Sequence, residues 1–245
     1  MNRTDNSTTH GHPLHDYYSG IYRRYDIMNR LFTFRQDERW RYETARYCIN
    51  DKPMEVLDLC CGTGDLALKL SSLGNADLKI TGYDFNLDML SQAERKIKSR
   101  KIQNITLIKG DAATMPFPDG KFDGVTIGFG FRNLTYENPK SQRHVDEIHR
   151  VLRPGGKLYI VESGVPDRAI VRFFYNLYLR TILIPLGGVV SGNWKAYNYL
   201  ARSAANFFSI EEVSALLRNS GFKKPFTRKW LFGATNVVIA EKQVG

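Results

Sequence analysis

The chain has 245 residues, of which 42% are hydrophobic and 24% are charged, and its formal net charge is +10. This length and apolar content indicate a globular fold with one α/β core rather than a disordered chain. The positive charge predicts an anionic partner surface, either nucleic acid or phospholipid headgroups, and does not choose between them.

The cysteines and the N-terminal segment disfavour several classes of protein. Cys48, Cys60 and Cys61 lack the C-x-x-C spacing of metal and redox sites, so we expect buried thiols and no bound metal. Residues 1–16 are polar and lack the apolar core of a secretory signal, which predicts a disordered tail and a cytoplasmic protein. The uncharged run 181–194 is too short for a membrane-spanning helix.

The predicted elements begin with an N-terminal helical cap over residues 17–50, broken near residues 33–36, and then alternate between strands and helices. Strands separated by helices of this length imply parallel pairing. A helical insertion over residues 166–207 interrupts the alternation, and two late apolar runs predict an antiparallel pair at one sheet edge. We therefore expect one domain over residues 17–245, with a doubly wound, mostly parallel sheet of seven strands. After the cap the predicted elements are a strand from Glu55, helix 65–73, strand 78–83, helix 87–100, strands 105–109 and 124–128, helix 139–152 stopped by Pro154-Gly155-Gly156, strand 157–162, the insertion, helix 210–219, and strands 226–231 and 236–240.

The stretch from Val56 to Asp65 is typical of a strand that ends in a nucleotide-binding turn. Gly62 and Gly64 can adopt positive φ and let the backbone approach a ligand closely. A dinucleotide fingerprint would need a third glycine near Ala67, and that glycine is absent. A glycine turn that only links strand to helix is the alternative interpretation.

Three acidic residues around this turn indicate which cofactor it binds. Asp58 and Asp65 would repel a pyrophosphate, whereas a ligand that carries an ammonium and a sulfonium group gains from them. Asp84 follows Gly64 by 20 positions at the end of the second strand, where a carboxylate can accept both ribose hydroxyls. The pattern favours S-adenosylmethionine (SAM) over NAD.

The remaining predicted cofactor contacts follow from strand ends, because ligands of open parallel sheets lie beyond the carboxyl ends of the strands. We assign Thr63 and Gly64 to the methionine end of SAM, and Asp111 with Ala112 to adenine. A loop or cap aspartate is the alternative for Asp111. The predicted cofactor-binding set is Asp58, Gly62, Thr63, Gly64, Asp84, Asp111, Ala112 and Gly128.

Several motifs along nearly the whole chain resemble the ubiquinone/menaquinone biosynthesis C-methyltransferase family. The resemblance implies the class I SAM-dependent methyltransferase fold and methylation of a ring carbon. Thr33 and Asp37 stand where that family often has a serine and a histidine. The motifs are Tyr25-Asp26-Ile27-Met28-Asn29, Trp40, Phe129-Gly130-Phe131-Arg132-Asn133, Arg150-Val151-Leu152-Arg153-Pro154-Gly155-Gly156, Glu162-Ser163 and Ala196-Tyr197-Asn198-Tyr199-Leu200.

The implied acceptor is a demethylated prenylquinol, a precursor of menaquinone or of ubiquinone. Deprotonation of its hydroxyl makes the neighbouring ring carbon nucleophilic, and a cation beside that oxygen lowers its pKa. We assign this role to Arg132 and Asn133, with Tyr25 as a second polar contact that helps to relay the proton. Alternatively, Arg132 only pairs with a carboxylate, and Tyr25 only fills the cap interface.

The insertion predicts how a lipid-like acceptor is reached. Arg168, Arg172 and Arg180 fall near one helical face, and neighbouring apolar residues supply the other. Such a helix predicts peripheral, salt-sensitive contact with the anionic inner face of a membrane. The alternative is a lid whose arginines are solvated.

Other functions stay open on the sequence alone. Phospholipid N-methylation, or another lipid-like or small acceptor, would tolerate the same basic helix. Nucleic acid is disfavoured as a partner, because the chain lacks the Asn-Pro-Pro-Tyr type of tetrapeptide and any recognisable RNA-binding appendage. A non-catalytic subunit of a quinone-synthesis complex is a third class, and a homo-oligomer is open as well.

Overall fold

A computed structural model describes residues 25–244 of the chain, so the predicted tail and the first part of the cap lie outside it. Seven strands form one sheet in the order β3-β2-β1-β4-β5-β7-β6. The pairs among β1 to β5 are parallel, and β7 runs antiparallel to both β5 and β6. The strands are β1 (Glu55–Leu59), β2 (Lys79–Asp84), β3 (Ile105–Lys109), β4 (Phe122–Gly128), β5 (Leu152–Ser163), β6 (Phe226–Trp230) and β7 (Thr235–Glu241).

Helices cover the sheet and build the cap and the insertion. The doubly wound, mostly parallel seven-stranded fold expected from the sequence is confirmed, including the antiparallel edge pair. The described helices are α1 (Tyr25–Phe32), α2 (Gln36–Asn50), α3 (Asp65–Leu73), α4 (Leu87–Ser99), α5 (Phe131–Thr135), α6 (Ser141–Val151), α7 (Ala169–Tyr178), α8 (Ile184–Ser191), α9 (Trp194–Ala205) and α10 (Ile210–Asn219).

The centre of the sheet is shielded from water, because β1 pairs with a strand on each side. Val56 and Leu57 are fully buried, and Asp58 in the same strand is buried with them. Burying each such aliphatic side chain contributes about 1.5–3 kcal/mol. Burial of the Asp58 carboxylate offsets part of this stabilisation, and it places the carboxylate near the carboxyl end of β1.

Two details of the predicted elements were wrong. Helix α6 ends at Val151, and β5 begins at once, because Leu152 pairs with Phe122 while residues 153–156 bulge out of register. The Pro-Gly-Gly turn thus lies within the irregular start of β5, where Gly155 adopts a φ of +73°. The short helix α5 was not predicted, because five residues are too few to show a helical period.

The break in the cap lies where the sequence placed it. Between α1 and α2, Phe34 and Arg35 adopt left-handed φ values of 49° and 60°, which a continuous helix cannot accommodate. Tyr178 of the insertion donates a hydrogen bond to the carbonyl of Phe32 at 2.6 Å. The cap and the insertion therefore meet, and Met28 is buried between them.

The insertion contains a longer helix than the sequence predicted. Helices α7 and α8 are joined by a π-helical turn (Leu179–Leu183) into one helix, Ala169–Ser191. By length and composition alone, its 23 residues make it long and apolar enough to cross a membrane, with a mean hydropathy of 1.4 over 18 of them, which the uncharged run 181–194 did not indicate. The uncharged run was a poor guide because two arginines lie within the helix.

The second half of this helix is nevertheless held by the protein. A Cβ on Gly187 would lie 2.2 Å from the Tyr197 ring, and one on Gly188 would lie 2.4 Å from the Trp194 ring. This close approach packs α8 directly on α9. The first half, by contrast, has no fully buried residue.

Candidate active site

A cavity of about 570 Å³ opens beyond the carboxyl ends of β1, β2 and β4. We call it the acidic cavity, because four carboxylates line it against the cations Arg41 and Lys140. Of the residues predicted to bind a cofactor, the structure brings seven together here and leaves Gly64 out. The seven are Asp58, Gly62, Thr63, Asp84, Asp111, Ala112 and Gly128, and Asp65 supplies the fourth carboxylate.

The turn after β1 uses its two glycines differently. Gly62 has a φ of +53°, and nothing lies within 4 Å of the Cβ position that a side chain would occupy. A ligand can therefore approach this backbone closely. Gly64, with a φ of +78°, caps α3, and a Cβ there would lie 3.0 Å from Ala93 of α4. Its role in the structure is the packing of the turn.

Asp58 lies at the floor of the acidic cavity. Its carboxylate accepts hydrogen bonds from the Ala67 backbone N–H at 3.0 Å and from the Thr126 hydroxyl at 2.9 Å. Burial raises the pKa of Asp58 to about 7, although these two hydrogen bonds and the charge of Arg41 oppose the shift. A cation bound nearby would favour the ionised form.

Asp84 closes the same turn from the end of β2. One carboxylate oxygen accepts the Gly62 N–H at 2.8 Å, and the other accepts the Asn86 N–H at 2.9 Å. Burial raises the pKa of this carboxyl group, while the backbone hydrogen bonds oppose the rise. The Phe85 N–H is a third backbone donor to this carboxylate, so of about four lone-pair positions about one remains for a ligand hydroxyl.

Asp111 and Ala112 line the far end of the acidic cavity after β3. The Asp111 carboxylate accepts the Ala113 N–H at 2.9 Å and pairs with Lys140 at 2.9 Å. Burial tends to raise the pKa of Asp111, but the Ala113 amide and Lys140 together hold it below its usual value. This carboxylate is therefore ionised at neutral pH.

A polar cluster ties the cap to the glycine turn, which the sequence did not predict. The Thr63 hydroxyl donates to Asp26 of α1 at 2.6 Å. The Lys96 ammonium lies 3.0 Å from Thr63 Oγ1 and 2.5 Å from the carboxylates of both Asp26 and Asp65. The Thr63 hydroxyl therefore binds the cap, although Thr63 also lines the acidic cavity. The sequence indication of this cluster was that Asp26 lies within the Tyr25-Asp26-Ile27-Met28-Asn29 motif.

A second cavity, of about 320 Å³, lies between the cap, the insertion and the end of β5. We call it the apolar cavity, because most of its walls are aromatic or aliphatic. Arg41 and Phe129 line both cavities, with the guanidinium 4.8 Å from the ring centroid. The two cavities are therefore neighbours that share a wall. The main apolar side chains are Phe32, Trp40, Phe129, Tyr175, Tyr178, Leu179, Leu183, Tyr197 and Leu200.

The two predicted catalytic residues of α5 line different cavities. Arg132 faces the apolar cavity and Asn133 the acidic one. Arg132 is 2% exposed, donates to the Ser163 hydroxyl at 2.7 Å and lies 3.5 Å from the Glu162 carboxylate. Arg132 therefore lines the apolar cavity and also pairs with a carboxylate. The Tyr25 side chain lies outside the described part of the structure.

The sequence reasoning also missed a buried ion pair in the apolar cavity. Asp37 and Arg41 lie one turn apart on α2, with Nη1 of Arg41 2.5 Å from Oδ2 of Asp37. The Thr33 hydroxyl lies 2.8 Å from the other carboxylate oxygen and 2.7 Å from the Asn29 carbonyl, so its proton is shared between these acceptors. The i,i+4 spacing was visible in the sequence, but the walls that bury the pair come from distant segments.

The residues of the acidic cavity fit a cationic nucleoside ligand. The open Gly62 position, the remaining lone pair of Asp84 and the excess of carboxylates suit a ribose and positively charged groups, whereas a pyrophosphate would be repelled. A volume of about 570 Å³ is within the range of cofactor sites. The fold and this cavity together define a class I SAM-dependent methyltransferase.

Comparisons with known proteins give the family. Residues 4–242 match the model of the ubiE/COQ5 methyltransferase family. A Thermus thermophilus protein named demethylmenaquinone methyltransferase is 40% identical over 206 residues, covering 84% of this chain and 90% of the relative. A Geobacillus protein of the same name is 34% identical over 230 residues, covering 94% and 97%. The chain belongs to the ubiE/COQ5 methyltransferase family, and it is a SAM-dependent methyltransferase.

Solved structures show the fold independently. A SAM-dependent methyltransferase from Aquifex aeolicus superposes with a TM-score of 0.56 at 20% identity, covering 77% of this chain and 81% of the other. An O-methyltransferase family protein from Burkholderia thailandensis gives a TM-score of 0.63 at 11% identity, covering 91% and 60%. The expectation of a SAM enzyme of this fold is confirmed.

Proposed function

We propose that the protein transfers the methyl group of SAM to a ring carbon of demethylmenaquinol. The observation that carries the proposal is the pair of neighbouring cavities, one acidic and one apolar, that share Arg41 and Phe129. A donor with positive charge and an acceptor with a lipid-like ring suit these two environments. The names of the relatives support the naphthoquinol over the benzoquinol precursor of ubiquinone.

In the acidic cavity, the proposed roles follow the strand ends. Asp84 accepts a ribose hydroxyl, Asp111 and Ala112 border the adenine, and Asp58 and the Thr63 turn face the methionine end. SAM, when bound, supplies an electrophilic methyl group on a sulfonium. The protein aligns that group with the acceptor carbon.

In the apolar cavity, the proposed role of Arg132 is to stabilise negative charge on the quinol oxygen. A buried cation acts strongly on a developing oxyanion because few water dipoles compete with it. Asn133 faces the acidic cavity, so we propose that it orients the donor next to Arg132. Tyr25 stays a proposed polar contact from the start of the cap.

The acceptor has to leave a lipid phase, and we propose that α7 makes peripheral contact with the membrane. Phe173 and Phe174 are 61% and 59% exposed, although water disfavours such side chains. Arg172 donates to the carbonyls of Pro166 and Asp167, both at 3.1 Å, so part of the basic face is engaged within the protein. Apolar insertion, assisted by the net charge of +10, therefore carries the contact.

The experiment that tests the function is a methyl-transfer assay with purified protein and methyl-labelled SAM. Chemically reduced demethylmenaquinone, the demethylated ubiquinol precursor and phosphatidylethanolamine are offered separately in detergent micelles. We expect the label in menaquinol, identified by mass. Label in phosphatidylethanolamine, or in none of the three while SAM still binds, would contradict the proposal. Label mainly in the benzoquinol would correct the acceptor ring.

A further inference from the structure

Methylation at a ring carbon needs a group that removes the hydroxyl proton, and Arg132 and Asn133 are poor candidates. Arg132 is a cation with no acceptor lone pair, and arginine stays protonated in proteins. Asn133 lines the other cavity. Among residues 25–244, the lining of the apolar cavity includes one carboxylate, Asp37, and no histidine.

The hydroxyl groups of the apolar cavity hold their protons. Burial raises the pKa of Tyr175 and of Tyr178 to about 12, and burial also raises the pKa of Tyr199. The Thr33 hydroxyl already has two acceptors for its one proton, the Asn29 carbonyl at 2.7 Å and the Asp37 carboxylate at 2.8 Å. A carboxylate is therefore the strongest described proton acceptor in this cavity at neutral pH.

The geometry around Asp37 leaves room for one more hydrogen bond to each oxygen. Oδ2 accepts from Arg41 at 2.5 Å, and Oδ1 lies 2.8 Å from the Thr33 hydroxyl, which is shared with the Asn29 carbonyl. A carboxylate offers about four lone-pair positions, so about two remain. The side chain is 2% exposed, and α2 and its two partners fix its position.

The ion pair also solves a charge problem. Asp37 and Arg41 together are neutral, and so are Arg132 and Glu162. If the quinol proton moves to Asp37, the positive charge of Arg41 then faces the new quinolate. The negative charge is displaced within the cavity, and no unpaired charge is created in apolar surroundings, where it would be costly.

We propose that Asp37 accepts the hydroxyl proton of the acceptor and that Arg41 then balances the resulting oxyanion, an inference that rests on the proposed quinol methylation. The O–H bond breaks, its proton goes to Asp37, and its electron pair stays on oxygen. The activated ring carbon forms the new bond to the methyl group, and the carbon–sulfur bond breaks with its pair on sulfur. The ring carbon then loses its hydrogen to water, which restores the aromatic ring, and Asp37 returns its proton to the oxygen.

The test is the pH profile of kcat in Asp37→Asn, in which an isosteric amide replaces the acceptor. We expect kcat to fall by about 100-fold or more at pH 7, within the range of general-base effects. Above pH 7 the kcat of the variant should rise by up to tenfold per pH unit, because hydroxide ionises the quinol directly. The wild-type profile should stay nearly flat over the same range. The SAM dissociation constant, measured by calorimetry, should change by less than about threefold.

Matched variants separate a chemical role from a structural one. Asp119→Asn makes the same change at an exposed site that lines neither cavity, and it should leave kcat unchanged. Asp37→Ala with added formate supplies a carboxylate to a site that lacks one. We expect kcat to rise with formate and to saturate, whereas chloride at equal ionic strength should have no effect.

Two results would overturn the inference. One is an Asp37→Asn protein with kcat within about threefold of the wild type. The other is a low kcat that neither pH nor formate restores, which would assign Asp37 a structural role only. If Asp37→Asn does not fold, judged by its thermal unfolding, the formate response of Asp37→Ala decides. Absence of methyl transfer in the wild type would instead overturn the proposed function, so the two failures are distinguishable.

Discussion

The acidic cavity and the apolar cavity meet at Arg41 and Phe129, but they are built and charged differently. The acidic cavity consists of turns at the ends of parallel strands; three of its four carboxylates accept backbone N–H groups, and the fourth, Asp65, pairs with Lys96. The apolar cavity is closed by helices from the cap and the insertion, and its charges occur as the buried pairs Asp37–Arg41 and Arg132–Glu162. One cavity attracts a cation from water, while the other accepts an apolar molecule and keeps its own charges neutral.

The largest expected effect comes from a substitution that removes one charge of a buried ion pair in the apolar cavity. Arg132→Ala should lower kcat by about 100- to 1,000-fold, because a buried donor to the developing oxyanion is lost. It should also cost about 3–5 kcal/mol of unfolding free energy, because Glu162 is left buried without its partner. Assays of kcat and urea unfolding measure the two effects.

Arg218→Ala removes an exposed arginine from α10 and serves as the control. The SAM dissociation constant of Arg132→Ala should match that of the wild type, because its side chain faces the apolar cavity. A variant that binds SAM normally and turns over at the wild-type rate would disprove the role of Arg132.

The next effect acts on the acidic cavity alone. Asp84→Ala should raise the SAM dissociation constant by about 100-fold, because charge-assisted hydrogen bonds contribute about 1.5–3 kcal/mol each. Part of the loss comes from the Gly62 turn, which Asp84 holds at 2.8 Å. Calorimetry with SAM measures it, and the exposed Asp77→Ala is the control. An unchanged dissociation constant would show that Asp84 does not contact the ribose.

The same contrast explains what the sequence could predict. Strand ends and their turns are local in the chain, so the order of the residues alone was enough to assign Asp58, Gly62 and Asp84 to one site. The apolar cavity is formed by segments more than 100 residues apart in the chain. No motif indicates which face of α2 the insertion covers. Asp37 therefore looked like an ordinary helix residue. Gly64 was assigned to the cofactor because it lies close to Gly62 in the sequence. Proximity in the sequence does not tell which of the two glycines faces the acidic cavity.

The pH dependence of SAM binding tests the electrostatics of the acidic cavity. Burial raises the pKa of Asp58 to about 7 in the free protein. A bound cation favours the ionised carboxylate, so the proton and SAM compete. Affinity should therefore be constant above pH 7 and weaken below it by up to tenfold per pH unit.

The matched variant for this experiment is Asp58→Asn, which cannot ionise. It should bind SAM weakly and with no pH dependence between pH 6 and 8. Wild-type affinity that is flat through pH 7 would show that SAM does not sense the charge of Asp58.

The smallest effect concerns access to the apolar cavity from a membrane. Phe173→Ser should weaken binding to anionic vesicles by about tenfold, because burial of a phenylalanine in an apolar phase contributes about 1.5–3 kcal/mol. Co-sedimentation measures it, with Met54→Ser as the control, since Met54 is 50% exposed next to the amino end of β1, on the far side of the sheet. Salt should weaken but not abolish the binding of the wild type, because salt screens the arginines and leaves apolar insertion intact. Binding that salt removes completely, and that Phe173→Ser does not alter, would assign the contact to the basic residues alone.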